Sequence, residues 1–246
     1  MLGSANSIAD ANTVLNTAVA EALRQFADTL EGAEDFTHAM NELIRKTIRE
    51  HKRIIFNGNG YDEAWTKEAT EVRGLLNLRQ TPDCLPYILA PKNIRLFKEH
   101  RVFTEMEVRA RYEIILENYC KTLHIEAVTM LDMVRREILP AVSAYLHDVC
   151  ETGRASRDLG IEPVYETALA GRLSTLCRAI SDKTAALDDV VASVEQISDV
   201  TALSCAYRDT IHPCMHDLRM SCDEAETITA DKYWPFPTYD KLLFGV

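Results

Sequence analysis

Residues 104–150 read TEMEVRARYEIILENYCKTLHIEAVTMLDMVRREILPAVSAYLHDVC, and this stretch decides the fold. Thr104 with Glu107 three residues later is a capping box, in which each side chain satisfies a backbone N–H that the first helical turn leaves unpaired. From there Tyr112, Leu116, Tyr119, Leu123, Ala127, Met130, Val134, Ile138 and Tyr145 fall on one broad apolar face, as helical spacing requires. No glycine lies between Gly74 and Gly153, so nothing interrupts the pattern except Pro140. A proline inside a helix removes one hydrogen bond and crowds the preceding turn, so a kinked helix at Pro140 is expected.

Working outward, a loop around Gly153 and Gly160 leads into a second long helical pattern. Leu173, Leu176, Ile180, Leu187, Val190, Val194 and Ile197 fit a heptad seam in which only Lys183 is polar. Val200, Leu203, Tyr207, Ile211, Cys214 and Leu218 continue it after a break near Ser198-Asp199. Antiparallel packing of these helices on residues 104–150 is the simplest outcome. Upstream, Leu15, Val19, Ala22, Phe26 and Leu30 mark a helix over about 13–30. A second runs from Asp35, an N-cap, to His51, with Met40, Leu43, Ile44 and Ile48 inward and basic residues at its end, where the helix dipole favours them.

Ile54-Ile55-Phe56 followed by Asn57-Gly58-Asn59-Gly60 reads as at most a short strand or hairpin near Ile54–Tyr61, the Asn-Gly pairs tolerating positive φ. A further helix spans about Asp62 to Arg73 and stops at Gly74. Tyr233-Trp234-Pro235-Phe236-Pro237-Thr238-Tyr239 forms an aromatic, proline-rich tail that cannot continue a helix. No internal repeat is read. The fold class is therefore mainly α, a long-helix bundle.

Composition limits the function. With 47% hydrophobic and 26% charged residues over 246 positions, the chain supports a globular core without staples. Its net charge of −11 repels phosphate backbones and anionic lipid surfaces, so neither nucleic acid nor membrane is expected as a partner. The seven cysteines are odd in number and scattered through helical patterns, which reads as reduced core thiols of a cytoplasmic protein. The start Met1–Ser7 carries no export signal, and no run of about 18 apolar residues exists to span a membrane.

Several constellations carry chemistry in principle. His212 and His216 share a helical face, with Cys214, Asp217 and Cys222 near in sequence, but Pro213 disturbs the turn and a structural pair is the better reading than a metal site. The Asn57–Gly60 loop has backbone amides for an anion, yet lacks the Lys-Ser or Lys-Thr of a phosphate loop and reads as a tight turn. Arg109, Arg111, Glu113, Arg135, Arg136 and Glu137 are the raw material of an arginine clamp, but they lie opposite the apolar stripe as a solvated face would. The aromatic tail, with Trp234, Phe236 and Tyr239, docks either on a neighbouring subunit or on its own bundle. No nucleophile, base and oxyanion set is present, so no catalytic, cofactor-binding or metal residue is assigned.

With these residues in view, the chain resembles the C-terminal region of a type III glutamine synthetase, a glutamate–ammonia ligase found mainly in bacteria. Gly3–Ala9 with Asn12–Thr17 resembles the segment just after the last active-site strand of that family's catalytic domain. Arg53–Tyr61, Arg73–Leu78, Val102–Glu105, Arg111–Ile114, Arg136–Tyr145 and Tyr233–Tyr239 resemble the rest of its C-terminal region. These blocks run in order along nearly the whole chain. Asp10-Ala11 departs from the Gly-Pro pair of many members, a change confined to a loop.

The resemblance implies that residues 1–30 end a catalytic domain and that residues 31–246 form a helical C-terminal domain with an aromatic tail at 233–246. It implies a parent enzyme that uses ATP and Mg2+ or Mn2+ to make glutamine in nitrogen assimilation. The family's metal-binding glutamates, nucleotide contacts and substrate arginines lie in motifs without a counterpart here. The expectation is an inactive fragment that serves as a structural and oligomerisation module, its partners being its own catalytic domain and neighbouring subunits of a homo-oligomer. The rivals are an independent helical scaffold and a self-contained helical enzyme.

Overall fold

The computed structural model describes residues 7–244, so Gly3 to Asn6 of the first resemblance block lie outside the described residues. Those residues contain no strand, and the chain is 79% helical, as the sparse glycine and proline predict. It divides into two compact units, residues 1–114 and 115–246.

In the first unit α1 spans Ala9–Leu30, beginning four residues before the expected Thr13. Gly32, at φ 79°, turns the chain into α2, Phe36–His51, whose N-cap Asp35 accepts from the His38 amide at 3.0 Å. A 3₁₀ turn at Lys52–Ile54 replaces any strand there. Helix α3, Glu63–Lys67, is capped by Asp62 and widens into a π-turn at Glu68–Val72, and Gly74 at φ 62° stops it as expected. Short helices α4, Thr81–Cys84, and α5, Pro91–Glu99, follow.

Neither Gly58 nor Gly60 adopts the positive φ that the Asn-Gly pairs predicted. Gly58 answers a different need: a Cβ there would lie 2.6 Å from Cζ of Phe56, whose ring folds back over it.

Packing in this unit is thin. Phe97 and Val108 are its buried apolar side chains, joined by Pro82 and Thr17. The inward stripes read for α1 and α2 are only partly inward. Ala22, Phe26, Leu30, Met40 and Leu43 are half-buried, whereas Leu15, Val19, Ile44 and Ile48 are 58%, 56%, 48% and 52% exposed. The physical reason is that α2 and the short α5, which pack on α1, cannot cover both of its sides.

The long helix α6, Glu105–Met133, starts on the expected capping box: Thr104 N donates to Glu107 Oε2 at 2.7 Å and Glu107 N to Thr104 Oγ1 at 3.3 Å. Most of it belongs to the second unit. There it is followed by a π-turn at Val134–Ile138 and by α7, Leu139–Asp158, with Pro140 in its first turn. The disturbance expected at Pro140 is thus a locally wider turn, in which Leu139 N bonds Val134 O.

Gly153 is not in a loop as the sequence reading placed it. It is buried inside α7 against the start of α8, where a Cβ would make ordinary contact, 3.4 Å from Cβ of Glu166 and 3.8 Å from Cβ of Pro163. The turn itself is made at Gly160, φ 75°, and folds α8, Val164–Val194, back on α7. After Asp199, which accepts from Ala202 N at 2.7 Å, come α9, Val200–Ala206, a second π-turn at Tyr207–Ile211, α10, His212–Ile228, and the short α11, Tyr239–Phe244.

The core of this unit is formed where α8 packs on both α7 and α10, with Val142, Leu173, Ile180, Leu187, Ile211 and Leu218 fully buried. The heptad seam needs correction at three positions: Lys183, Val190 and Ile197 are half-buried, and Thr184 and Val191 are buried beside the first two. A straight helix turns every 3.6 residues, so its buried stripe drifts off a strict 3.5 repeat. Lys183 instead crosses to α10 and donates to Asp217 O at 2.9 Å and Ser221 Oγ at 2.8 Å.

Candidate functional site

The second unit carries a groove of about 550 Å3 flanked by α6 and α10. From α6 come Ile125, Glu126, Thr129, Met130 and Met133, at the three- and four-residue steps of one helical face. From α10 come Met215, Arg219, Cys222, Asp223 and Glu226 in the same rhythm, and the tail closes the groove with Trp234 and Phe236.

The tail is held to its own bundle. Trp234 and Phe236 pack on the core with their rings edge-on, 6.2 Å between centroids. Tyr233 stacks obliquely on Tyr145 at 5.0 Å and hydrogen-bonds Asp148, and Lys241 pairs with Asp231 at 2.6 Å. Of the two docking modes the sequence left open, Trp234 and Phe236 show the intramolecular one, while the side chain of Tyr239 lies outside the described residues. Burial pushes the Cys222 thiol on the groove floor up to about 11, so it is no nucleophile at neutral pH.

A smaller constellation lies in the first unit. Phe56 stacks on Trp65 with centroids 3.7 Å apart, and the Arg73 guanidinium sits 4.8 Å from the Trp65 ring centroid. Arg73 also pairs with Glu68 at 2.7 Å and donates to the carbonyls of Ile55 at 2.8 Å and Arg53 at 3.2 Å. Five donors in a planar fork let one arginine hold both the loop and the helix end. Asn59 Oδ1 accepts from Tyr61 N at 3.1 Å, so the Asn59 side chain closes the turn that follows the loop. Two sequence blocks that resemble one family, Arg53–Tyr61 and Arg73–Leu78, therefore meet through Arg73.

The structure does not assemble an arginine clamp. Arg109 pairs with Glu105 at 2.7 Å, and Arg111 with Asp10 at 3.6 Å while covering the Phe103 ring at 4.2 Å. Arg135 reaches Asp188 on α8 at 2.6 Å and Arg136 pairs with Asp132 at 3.0 Å, while Glu113 and Glu137 are exposed. His212 and His216 are exposed, Cys214 is half-buried and Cys222 buried, and no group of three or more His, Cys, Asp or Glu side chains converges as a metal centre among the described residues. All seven cysteines are free, but Cys84 and Cys150 are exposed, so not every thiol belongs to a core. No helix among the described residues is long and apolar enough to cross a membrane.

The sequence reading missed the acidic rim and the methionine wall of the groove. The signal lies in the spacing: Glu126, Met130 and Met133 share one helical face beside the core-facing stripe of Ala127 and Met130.

Comparison with known proteins gives a consistent answer. The glutamine synthetase C-terminal domain family matches residues 39–157. Over 225 residues the chain is 35% identical to a glutamine synthetase of Butyrivibrio fibrisolvens, covering 87% of this chain and 31% of the relative. It is 32% identical over 243 residues to a type-3 glutamine synthetase of Dictyostelium discoideum, covering 94% and 32% respectively. Against a glutamine synthetase of Bacteroides fragilis it is 27% identical over 253 residues, covering 98% and 34%. The chain thus spans about a third of the length of the curated relatives it matches. An ordered series of sequence blocks, a helical architecture and these matches agree, and the chain belongs to the type III glutamine synthetase family, of which it carries the C-terminal domain.

Proposed function

We propose that this chain is the C-terminal part of a cytoplasmic ATP-dependent glutamate–ammonia ligase, in which it acts as a helical packing and assembly module that supplies no catalytic group. One observation carries this reading: the first unit leaves its apolar surface open. On α1, Val14, Leu15, Val19 and Leu23 are 48%, 58%, 56% and 62% exposed, while the unit buries few apolar side chains of its own. Isolated soluble domains rarely leave such a stripe in water, so it is surface made to be covered by a catalytic domain or a neighbouring subunit.

ATP and Mg2+ or Mn2+ belong to the parent enzyme in this reading. The donors in this chain do not fit them. Phosphoryl transfer needs carboxylates converging on a divalent cation and cations around the transferred group. Here the arginines of α6 and its following π-turn are engaged in pairs, as described above, and no such carboxylate set forms among the described residues. The scaffold rival loses its main support, because the seam of α8 is buried within its own unit.

The test is a γ-glutamyl transfer and biosynthetic assay of the purified chain with ATP, Mg2+ or Mn2+, glutamate and ammonia, beside sedimentation of the same sample. No turnover and concentration-dependent self-association are expected, with Leu15→Glu and Leu23→Glu reducing the association. Deleting residues 1–246 from the parent should impair its assembly. Turnover by the isolated chain, free of host enzyme, overturns the proposal.

A further inference from the structure

The groove of the second unit combines two features. Its walls are adaptable and apolar, built from Met130, Met133, Met215, Trp234 and Phe236, whereas its rim is acidic, with Glu126, Asp223 and Glu226. Arg219 is the one cation of the lining, and it is turned to Asp223 at 3.4 Å. Glu126 and Glu226 have no ion pair or hydrogen-bond partner among the described residues, and they stand on opposite flanks, one on α6 and one on α10.

A volume of about 550 Å3 is that of a site for a small organic molecule, and mostly apolar walls with a few placed polar groups are the usual construction of such sites. Methionine side chains adapt to irregular apolar shapes, and the faces of Trp and Phe attract cations. An anionic ligand would meet two uncompensated carboxylates. A purely apolar one would desolvate them without return.

We propose that this groove is a binding site for a hydrophobic cation, a small molecule with an apolar body and a single ammonium or guanidinium group. The body lies against the methionines and the rings of Trp234 and Phe236, and the cationic group is shared by Glu126 and Glu226. Because Trp234 and Phe236 also anchor the tail, an occupied groove holds residues 233–236 more firmly on the bundle. The site is independent of the assembly role proposed above, since none of its residues comes from the first unit.

The chain has two tryptophans, so Trp65→Phe leaves Trp234 as the only indole and as a reporter inside the groove. The probe is phenylbutylamine, titrated into the full chain carrying that change, with phenylbutanol and phenylbutyrate as the neutral and anionic matches. The amine should shift Trp234 emission and bind about fivefold to tenfold more tightly than the alcohol, from two partly exposed ion pairs, and phenylbutyrate should bind weakest. Glu126→Gln with Glu226→Gln should erase the advantage of the amine while leaving the alcohol unchanged, and so should 0.5 M salt. Met130→Ala should weaken amine and alcohol alike. Equal binding of the three probes, preference for phenylbutyrate, or no response of Trp234 to the amine would each overturn the proposal. Circular dichroism of the exposed-site Glu→Gln variants shows that they remain folded.

Discussion

Removing the indole of Trp234 tests whether the tail belongs to its own bundle. The side chain is half-buried against the α6–α10 groove. A buried tryptophan removes about 150–250 Å2 from water. Half of that, at about 25 cal/mol per Å2, gives roughly 2–3 kcal/mol, and residual burial in the denatured chain trims this to about 2 kcal/mol. The edge-on contact with Phe236 adds about 0.5–1 kcal/mol.

Trp234→Ala should therefore destabilise the second unit by about 2–3 kcal/mol, below the cost of emptying a fully enclosed aromatic site. Urea unfolding followed by far-ultraviolet circular dichroism measures the loss. Trp65, the one indole left, reports the first unit by fluorescence and should keep its midpoint. A double-mutant cycle with Phe236→Ala isolates the ring pair. A loss below about 0.5 kcal/mol, or an equal shift at Trp65, would refute intramolecular docking and make the tail an arm for another subunit.

Thiol reactivity should rank by environment: the exposed Cys150 reacts first with iodoacetamide at pH 8, and the buried Cys222, pushed up to about 11, reacts only on unfolding, as peptide mapping of the alkylated chain can show. Glu21 is held well below the usual carboxylate range by Arg24 first, then by His100 at 2.7 Å and Gln25, so its contribution to joining α1 and the end of α5 is fully present above the ordinary carboxylate pKa of 4.5 and is lost as pH falls through its lowered value. Glu21→Gln should flatten the acid limb of the first unit's stability profile, and an unchanged limb would remove Glu21 from that role. Gly153→Ala places its methyl in ordinary contact, 3.4 Å from Cβ of Glu166, and should be tolerated, whereas Gly153→Val should separate α7 from α8 and lower the thermal midpoint by several degrees in calorimetry.

How much of this was legible depended on whether one helix could be judged alone. Caps were in part: Asp35 and Thr104 with Glu107 act within one turn of their own residue, whereas Asp62 and Asp199, which cap in the same way, read only as a helix start and a break. Stop signals at Gly74 and Gly160 were legible for the same reason. Inwardness was not: Leu15 and Leu173 occupy equally good apolar stripes, yet one is 58% exposed and the other fully buried. The difference lies in what covers each helix. Gly153 differs from its expected loop for a related reason, since a glycine buried inside a helix carries the same letter as one that ends a helix. The groove was the least legible part, because its two flanks lie some ninety residues apart and only the fold brings their acidic and methionine positions to one opening.

Pro140 and Pro213 show how the chain keeps its long helices despite residues that should break them. A proline ring collides with the carbonyl four residues earlier, here those of Arg136 and Asp209, and donates no hydrogen bond. In both places the helix widens just upstream: Leu139 N bonds Val134 O, and His212 N bonds Tyr207 O, five residues back in each case. The segments share a pattern, Val134-Arg135-Arg136-Glu137-Ile138-Leu139-Pro140 and Tyr207-Arg208-Asp209-Thr210-Ile211-His212-Pro213, with arginine second, isoleucine fifth and proline seventh. The first and fifth residues are buried in both, and both prolines are exposed. A wider turn brings residues four apart nearly onto one face, so each pair enters the core together and the proline is carried round to solvent. The same solution occurs at two sites, one joining α6 to α7 and the other α9 to α10. It also explains how both helical runs continue past a proline that removes a hydrogen bond.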